Sequence, residues 1–139
     1  MKKIIALTLA VLMLLMMTAC GSKPADDGKF TIGICQLVTH DALDAATNGF
    51  VQAVKDGLGE ENVEFDLQNA AGDANTCASI ANAFVSAEVD LIMANATPAV
   101  QNAAAATTDI PILGTSVTEY GVALDIQDFT GTVGGNVSG

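Results

Sequence analysis

Thr97-Pro98, set directly after the apolar run Asp90-Leu-Ile-Met-Ala-Asn95, is where residue types and spacing in this chain most plainly offer chemistry. A short continuous apolar run suits a central parallel strand covered on both faces. A threonine hydroxyl can cap free backbone N–H groups, and proline at the first helical position gives up an N–H that has no partner anyway. The elbow thus aims N–H donors and the positive end of a helix dipole beyond the strand's carboxyl end, where an anion is stabilised. The same residues also make an ordinary strand-to-helix turn. Two other stretches carry polar groups to comparable places. Gln36 to Asp41 follows a first strand and holds the only histidine, His40, which could donate to a ligand or bind its own turn; Gln36 has the same standing. Gly114 to Tyr120 follows a later strand and offers the hydroxyls of Thr115, Ser116 and Thr118 beside the Glu119 carboxylate.

The elements that must position these groups alternate. Phe30 to Gln36 has the β-branched content of a strand, and Gly33 permits close approach of a helix. Asp41 reads as the N-cap of a helix whose Leu43, Phe50, Val51, Val54 and Leu58 share one face, stopped by Gly57 and Gly59. Val63 to Leu67 alternates apolar and acidic residues, as an outer strand does. After a turn at Asn69–Gly72, Asp73 caps a second helix with Cys77, Ile80, Ala81, Phe84 and Val85 on one face, ending near Glu88. The third helix runs from Pro98 through Ala103–Ala106, and Ile110 to Leu113 is a fourth strand with Pro111 near its beginning. Val122 to Gly139 shows no periodic element and reads as a loop without a closing strand or helix. Strands alternating with helices at this spacing predict an α/β fold, a Rossmann-like parallel sheet with helices on both faces. If strand one lies between strands two and three, the loops leaving strands one and three diverge at a topological switch point, where open sheets usually bind ligands.

Composition narrows the function. All five basic residues are lysines, and setting aside Lys2 and Lys3 leaves Lys23, Lys29 and Lys55 against 16 acidic side chains. With no arginine and no basic patch, nucleic-acid binding is excluded, because phosphate neutralisation supplies most of its affinity. There is no metal-ligand spacing, no phosphate loop, and no Gly-x-Ser-x-Gly elbow, so neither a metal nor another cofactor is expected. Cys35 and Cys77 could form a disulfide only if their Cα atoms lie within ~7 Å; two buried free thiols are the simpler expectation.

Met1-Lys2-Lys3 followed by the uncharged apolar run Ile4 to Met17 reads as a secretory signal, since the run falls short of the roughly 20 residues that span a bilayer. Met17-Thr18-Ala19-Cys20 resembles a bacterial lipobox. That resemblance implies cleavage before Cys20 and lipidation of its sulfur, which with two or three acyl chains anchors the protein on the extracytoplasmic side of the cell membrane. The chain then divides into a signal peptide over 1–19, a polar tether over 20–29 and one domain over 30–139.

Across that domain, Ile32-Gly-Ile-Cys-Gln-Leu-Val-Thr-His40, Ala42-Leu-Asp-Ala-Ala46 with Gly49-Phe50, Gln68-Asn-Ala-Ala-Gly-Asp73, Val89-Asp-Leu-Ile with Ala96-Thr-Pro-Ala99, Ile110-Pro-Ile112, Thr115-Ser-Val-Thr118 and Gly134-Gly-Asn-Val-Ser-Gly139 resemble the substrate-binding lipoproteins of ABC importers. The similarity is to the family of tryptophan- and tyrosine-type binding proteins. It implies the first lobe of a type I periplasmic-binding-protein-like fold, with the chain ending before the second lobe. It also implies a small-molecule ligand, an amino acid and by family an aromatic one, delivered to an ABC permease and ATPase complex without catalysis. The ligand carboxylate would meet Ala96 and Thr97 and the rim at Ser116, Val117 and Thr118, while Glu119 could pair with an α-ammonium or stand as one more solvated acid. The chain departs from the family pattern at Asp41 and Val133, where proline is usual, and at Glu119-Tyr120, which replaces a common Asp-Pro. An exported enzyme, an exported ligand sensor and a flavodoxin-like signalling module are the rival readings; the last lacks the acidic cluster after strand one and an aspartate at Asn95.

Overall fold

Five strands lie side by side in the order β2-β1-β3-β4-β5, every neighbouring pair parallel, in a computed structural model that describes residues 28–139. The strands are β1 Phe30–Gln36, β2 Val63–Asn69, β3 Leu91–Asn95, β4 Ile112–Thr115 and β5 Val137–Ser138. The helices are α1 Asp41–Leu58, α2 Ala74–Ser86, α3 Thr97–Ala106 and the single turn α4 Tyr120–Ala123. A 3₁₀ turn at Glu60–Asn62 leads into β2. The readings of a signal peptide and of lipidation at Cys20 fall outside the described residues, as does all of the tether but Gly28 and Lys29. Among the described residues no helix is long and apolar enough to cross a membrane.

Side-chain alternation along the strands builds two cores. Ile32, Ile34 and Met93 face α1, where Phe50, Val51 and Val54 pack against them. Cys35, Ile92, Ala94 and Ile112 face the other way, onto Cys77, Ile80 and Phe84 of α2 and Ala99, Val100 and Ala103 of α3. The first helix therefore covers one face and the next two the other, with β1 between β2 and β3, the arrangement under which a switch point falls between the loops leaving β1 and β3. Leu58, placed by its period on the buried face of α1, is 45% exposed because the helix end overhangs the sheet. Gly59, at φ 87°, ends that helix and donates its N–H to the Lys55 carbonyl. β2 is the outer strand, as its alternation implies, and Leu67 on it is half exposed.

Gly33 shows why a strand interior here tolerates no side chain. A Cβ at that position would lie 2.7 Å from the Phe84 ring, which is fully buried and lies flat against the strand.

Three local readings are corrected. His40, not Asp41, is the N-cap of α1, its ring Nδ1 accepting the Ala42 N–H at 3.2 Å. Thr97 is the first residue of α3 rather than its cap; the cap position is Ala96 and no side chain closes that end. The segment after Val122 is not all loop. Glu119 caps α4, and Asn136 carries β5 to the sheet edge through its amide, which donates to the carbonyls of Thr107 (3.1 Å) and Ile110 (2.8 Å). The backbone bond from Ile112 N to Asn136 O completes the attachment.

Cys35 and Cys77 are free, and 1% and 0% exposed. Burial foremost, then the neighbouring Cys77 sulfur, pushes the Cys35 thiol up to about 12, and burial raises Cys77 too. The thiolate is the reactive form. Iodoacetamide at pH 8 should therefore leave both untouched in the folded chain and alkylate both in denaturant, as read by intact mass; labelling of either without denaturant would contradict their enclosure.

Candidate functional site

The parallel register brings the carboxyl ends of four strands into one row. Gln36 lies opposite Asn69 on one side and Asn95 on the other, and Asn95 lies opposite Thr115. The loops beyond them are stitched together by backbone hydrogen bonds: Leu37 N to Asn95 O (3.2 Å), Ala96 N to Thr115 O (2.9 Å), Ala70 N to Gln36 O (2.9 Å) and Gly72 N to Leu37 O (2.7 Å). His40, Ala96, Thr97, Ser116, Val117 and Thr118 consequently occupy one continuous rim at the switch point between β1 and β3.

At the middle of that rim the backbone is strained. Ala96 has φ 99° and ψ 158°, a region almost reserved for glycine, and Ser116 has φ 56°. The Ala96 twist turns the chain sharply from β3 into α3. Because no side chain caps α3, its first N–H groups, those of Thr97 and Ala99, are presented beyond the strand ends with the helix dipole behind them. Ser116 and Thr118 are exposed, whereas Val117 between them packs against the core and fixes the turn. The result is a short arc of donors suited to a carboxylate or another small anion.

His40 stands at the edge of this arc, exposed, with Nδ1 accepting from Ala42 and its carbonyl accepting the Asp44 N–H at 2.8 Å. Acceptance at Nδ1 puts the proton of the neutral ring on Nε2, which is left as an outward donor.

Two candidates serve differently from the rest. Gln36 is 3% exposed, and its amide is fully engaged inside the protein. Nε2 donates to Val38 O (3.0 Å) and Asp44 Oδ1 (2.5 Å), and Oε1 accepts the Thr47 hydroxyl (2.6 Å). Gln36 therefore shapes the His40 loop from below. Glu119 has both oxygens occupied, Oε1 by Gly121 N (2.8 Å) and Oε2 by Val122 N (2.6 Å), so it holds the turn into α4. Tyr120, whose hydroxyl pKa is raised by burial, packs behind that turn against the core.

The buried polar chain beneath the rim is where sequence patterning gives least warning. Thr47, 2% exposed on α1, also accepts from Asn95 Nδ2 (2.9 Å), and Nδ2 donates as well to Leu43 O (2.8 Å). Asn95 is fully buried, and its Oδ1 has no partner among the described residues. The available signal is a threonine four residues after Leu43 and three before Phe50, a polar side chain on the apolar face of a helix.

Elsewhere, an apolar groove lined by Leu91, Pro111, Leu113 and Val137 opens beside the start of β4, away from the rim, and brings no cluster of polar groups together. No group of three or more potential metal ligands exists among the described residues.

Residues 31–139 match the family model described as ABC transporter substrate binding protein. The chain belongs to that family. Among its relatives, a tyrosine-binding protein of Clostridioides difficile is 43% identical, over 99% of this chain and 44% of its own length. Similar solved structures agree in fold. The ligand-free, open structure of a substrate binding protein with adhesive properties from Clostridium difficile superposes with TM-score 0.72 at 46% identity, covering 79% of this chain and 38% of that one. A Streptococcus pneumonia ABC domain in complex with L-Trp gives 0.72 at 31% identity, covering 80% and 38%. A conserved domain protein of Vibrio cholerae gives 0.74 at 33% identity, with the same coverage. This family member thus spans less than half the length of the relatives it matches, and the architecture anticipated from the strand and helix alternation is theirs.

Proposed function

We propose that this chain forms the N-terminal lobe of a lipid-anchored substrate-binding protein of an ABC importer, and that it receives the carboxylate of an aromatic amino acid at the rim. The observation that carries the reading is the uncapped N-terminus of α3, held at the switch point beside the Ser116–Thr118 turn by the Ala96-to-Thr115 bond. In this reading the Thr97 and Ala99 N–H groups and the Ser116 and Thr118 hydroxyls take the carboxylate oxygens, and His40 Nε2 donates from the side. Gln36 and Glu119 hold the loops. The rim is an open surface, so a second lobe must close over it to exclude water from the ligand, and the closed form is what a membrane permease and its ATPase would recognise. No bond of the ligand is made or broken. The choice of an aromatic amino acid follows the relatives, one named for tyrosine and one solved with L-Trp. Anchoring through Cys20, outside the cytoplasmic membrane, completes the proposal and follows the lipobox resemblance.

Calorimetric titration of the intact two-lobed protein with a panel of amino acids tests it. Saturable heat from L-tyrosine or L-tryptophan, with no turnover of either, is the expected result. Absence of heat from every aromatic member would overturn the ligand class.

A further inference from the structure

We propose that Thr47, which lies beneath the rim and touches no ligand in the reading above, is a positioning residue that locks the His40 loop and the Ala96 elbow to each other; the inference rests on that reading. The geometry is a chain of side chains crossing from one loop to the other. The Thr47 hydroxyl donates to Gln36 Oε1 at 2.6 Å and accepts from Asn95 Nδ2 at 2.9 Å. Gln36 reaches onward to Val38 O and Asp44 Oδ1, the two sides of the loop that ends at His40. Asn95 immediately precedes the strained Ala96 and ties β3 to α1 through Leu43 O. A single hydroxyl thus joins the strand ends that feed the two halves of the donor arc, at a point 2% exposed where water cannot substitute for it.

Two features mark this chain as more than packing. Asn95 keeps an unpartnered Oδ1 at full burial, a polar group an apolar side chain would have spared the protein. It keeps it beside the one residue whose backbone lies in the glycine region at the head of α3. A strained backbone persists only when its surroundings over-determine it, and the Asn95 amide, oriented by Thr47, supplies that determination. Removing the hydroxyl would leave Gln36 Oε1 without a donor and Asn95 Nδ2 with one acceptor. Both loops would then sample other arrangements, and the ligand would bear the entropy of ordering them.

The test uses the intact protein with L-tyrosine and L-tryptophan as calorimetric probes. Thr47→Val should raise Kd about tenfold or more, Thr47→Ser should restore the wild-type value, and amide exchange in the ligand-free variant should rise at residues 37–40 and 96–99 together. Ile80→Val, in the core on the other face of the sheet, serves as a stability control and should leave Kd unchanged. Should valine prevent folding, Thr47→Ala removes the same hydroxyl with a smaller side chain. A wild-type Kd in the valine or alanine variant overturns the proposal, as does an equal loss in Ile80→Val or failure of Thr47→Ser to rescue. If the wild-type protein binds neither amino acid, the functional reading fails by itself. Exchange then decides Thr47: faster exchange in both loops upholds the lock, and unchanged loops overturn it.

Discussion

Phe84→Ala should lower the unfolding free energy of the chain by about 3–5 kcal/mol, the largest loss expected from any single core truncation. Phe84 is the bulkiest of the fully buried side chains, and its ring fills the hollow that Gly33 leaves in β1. Neither neighbour can follow the ring if it is removed. The strand is held on both sides by β2 and β3, and α2 is packed against α3. The reciprocal change is expected to fail for the opposite reason. Gly33→Ala puts a methyl 2.7 Å from the ring and should cost about 1–3 kcal/mol through overpacking. Gly33→Ala combined with Phe84→Leu should cost less than the sum of the two, since the smaller side chain leaves room for the methyl. Urea unfolding with unchanged m-value measures these variants together with Phe84→Leu alone. Additive losses would show that strand and ring do not share the space assigned to them.

The second large effect concerns the ligand rather than the protein. Tyramine, which is tyrosine without its carboxylate, should bind the intact protein about 100-fold more weakly than L-tyrosine, the magnitude of losing charge-assisted hydrogen bonds at a helix terminus. Ser116→Ala together with Thr118→Val should weaken L-tyrosine binding and leave tyramine binding nearly unchanged, since in the proposed reading the hydroxyls serve only the carboxylate. Competition calorimetry reads both. Equal affinity for the two compounds would remove the carboxylate from the rim and, with it, the role given to α3.

Much of the architecture is legible in the chain because it follows from periodicity. The buried run of β3, the amphipathic stripe of α1 and the alternating outer strand each carry a pattern several residues long, and together they give the parallel α/β class, while the order with β1 between β2 and β3 is only one of those that crossover handedness allows. β5 carries no such pattern. Two residues have no period, and what holds them is the Asn136 amide bonded to carbonyls 26 and 29 residues earlier. The rim is legible as a location, since it lies wherever parallel strands end, but its working parts are less so. Alanine at position 96 gives no hint of a positive φ, which arises because the elbow must turn into α3 while its N–H is held by Thr115. Thr47 is hidden for a related reason. It takes the i+4 place in the stripe Leu43, Phe50, Val51 and Val54, where a single threonine marks an interruption of the apolar face without saying which strand ends its hydroxyl joins. His40 and Glu119 show how a polar side chain beside the strand ends can be claimed by the nearest helix start.

The donors offered at the head of α3 belong to the main chain, and that has a consequence for how such a surface can change over generations. An N–H group is the same whichever side chain sits beside it, so exchanges at position 97 can reshape the rim's contour while the donor remains, whereas Ala99, 1% exposed, is held by the core. Only proline, which lacks the N–H, deletes a donor outright, and Pro98 already occupies the position between Thr97 and Ala99. A lineage can therefore alter the side chains of the rim without first losing its main-chain donors.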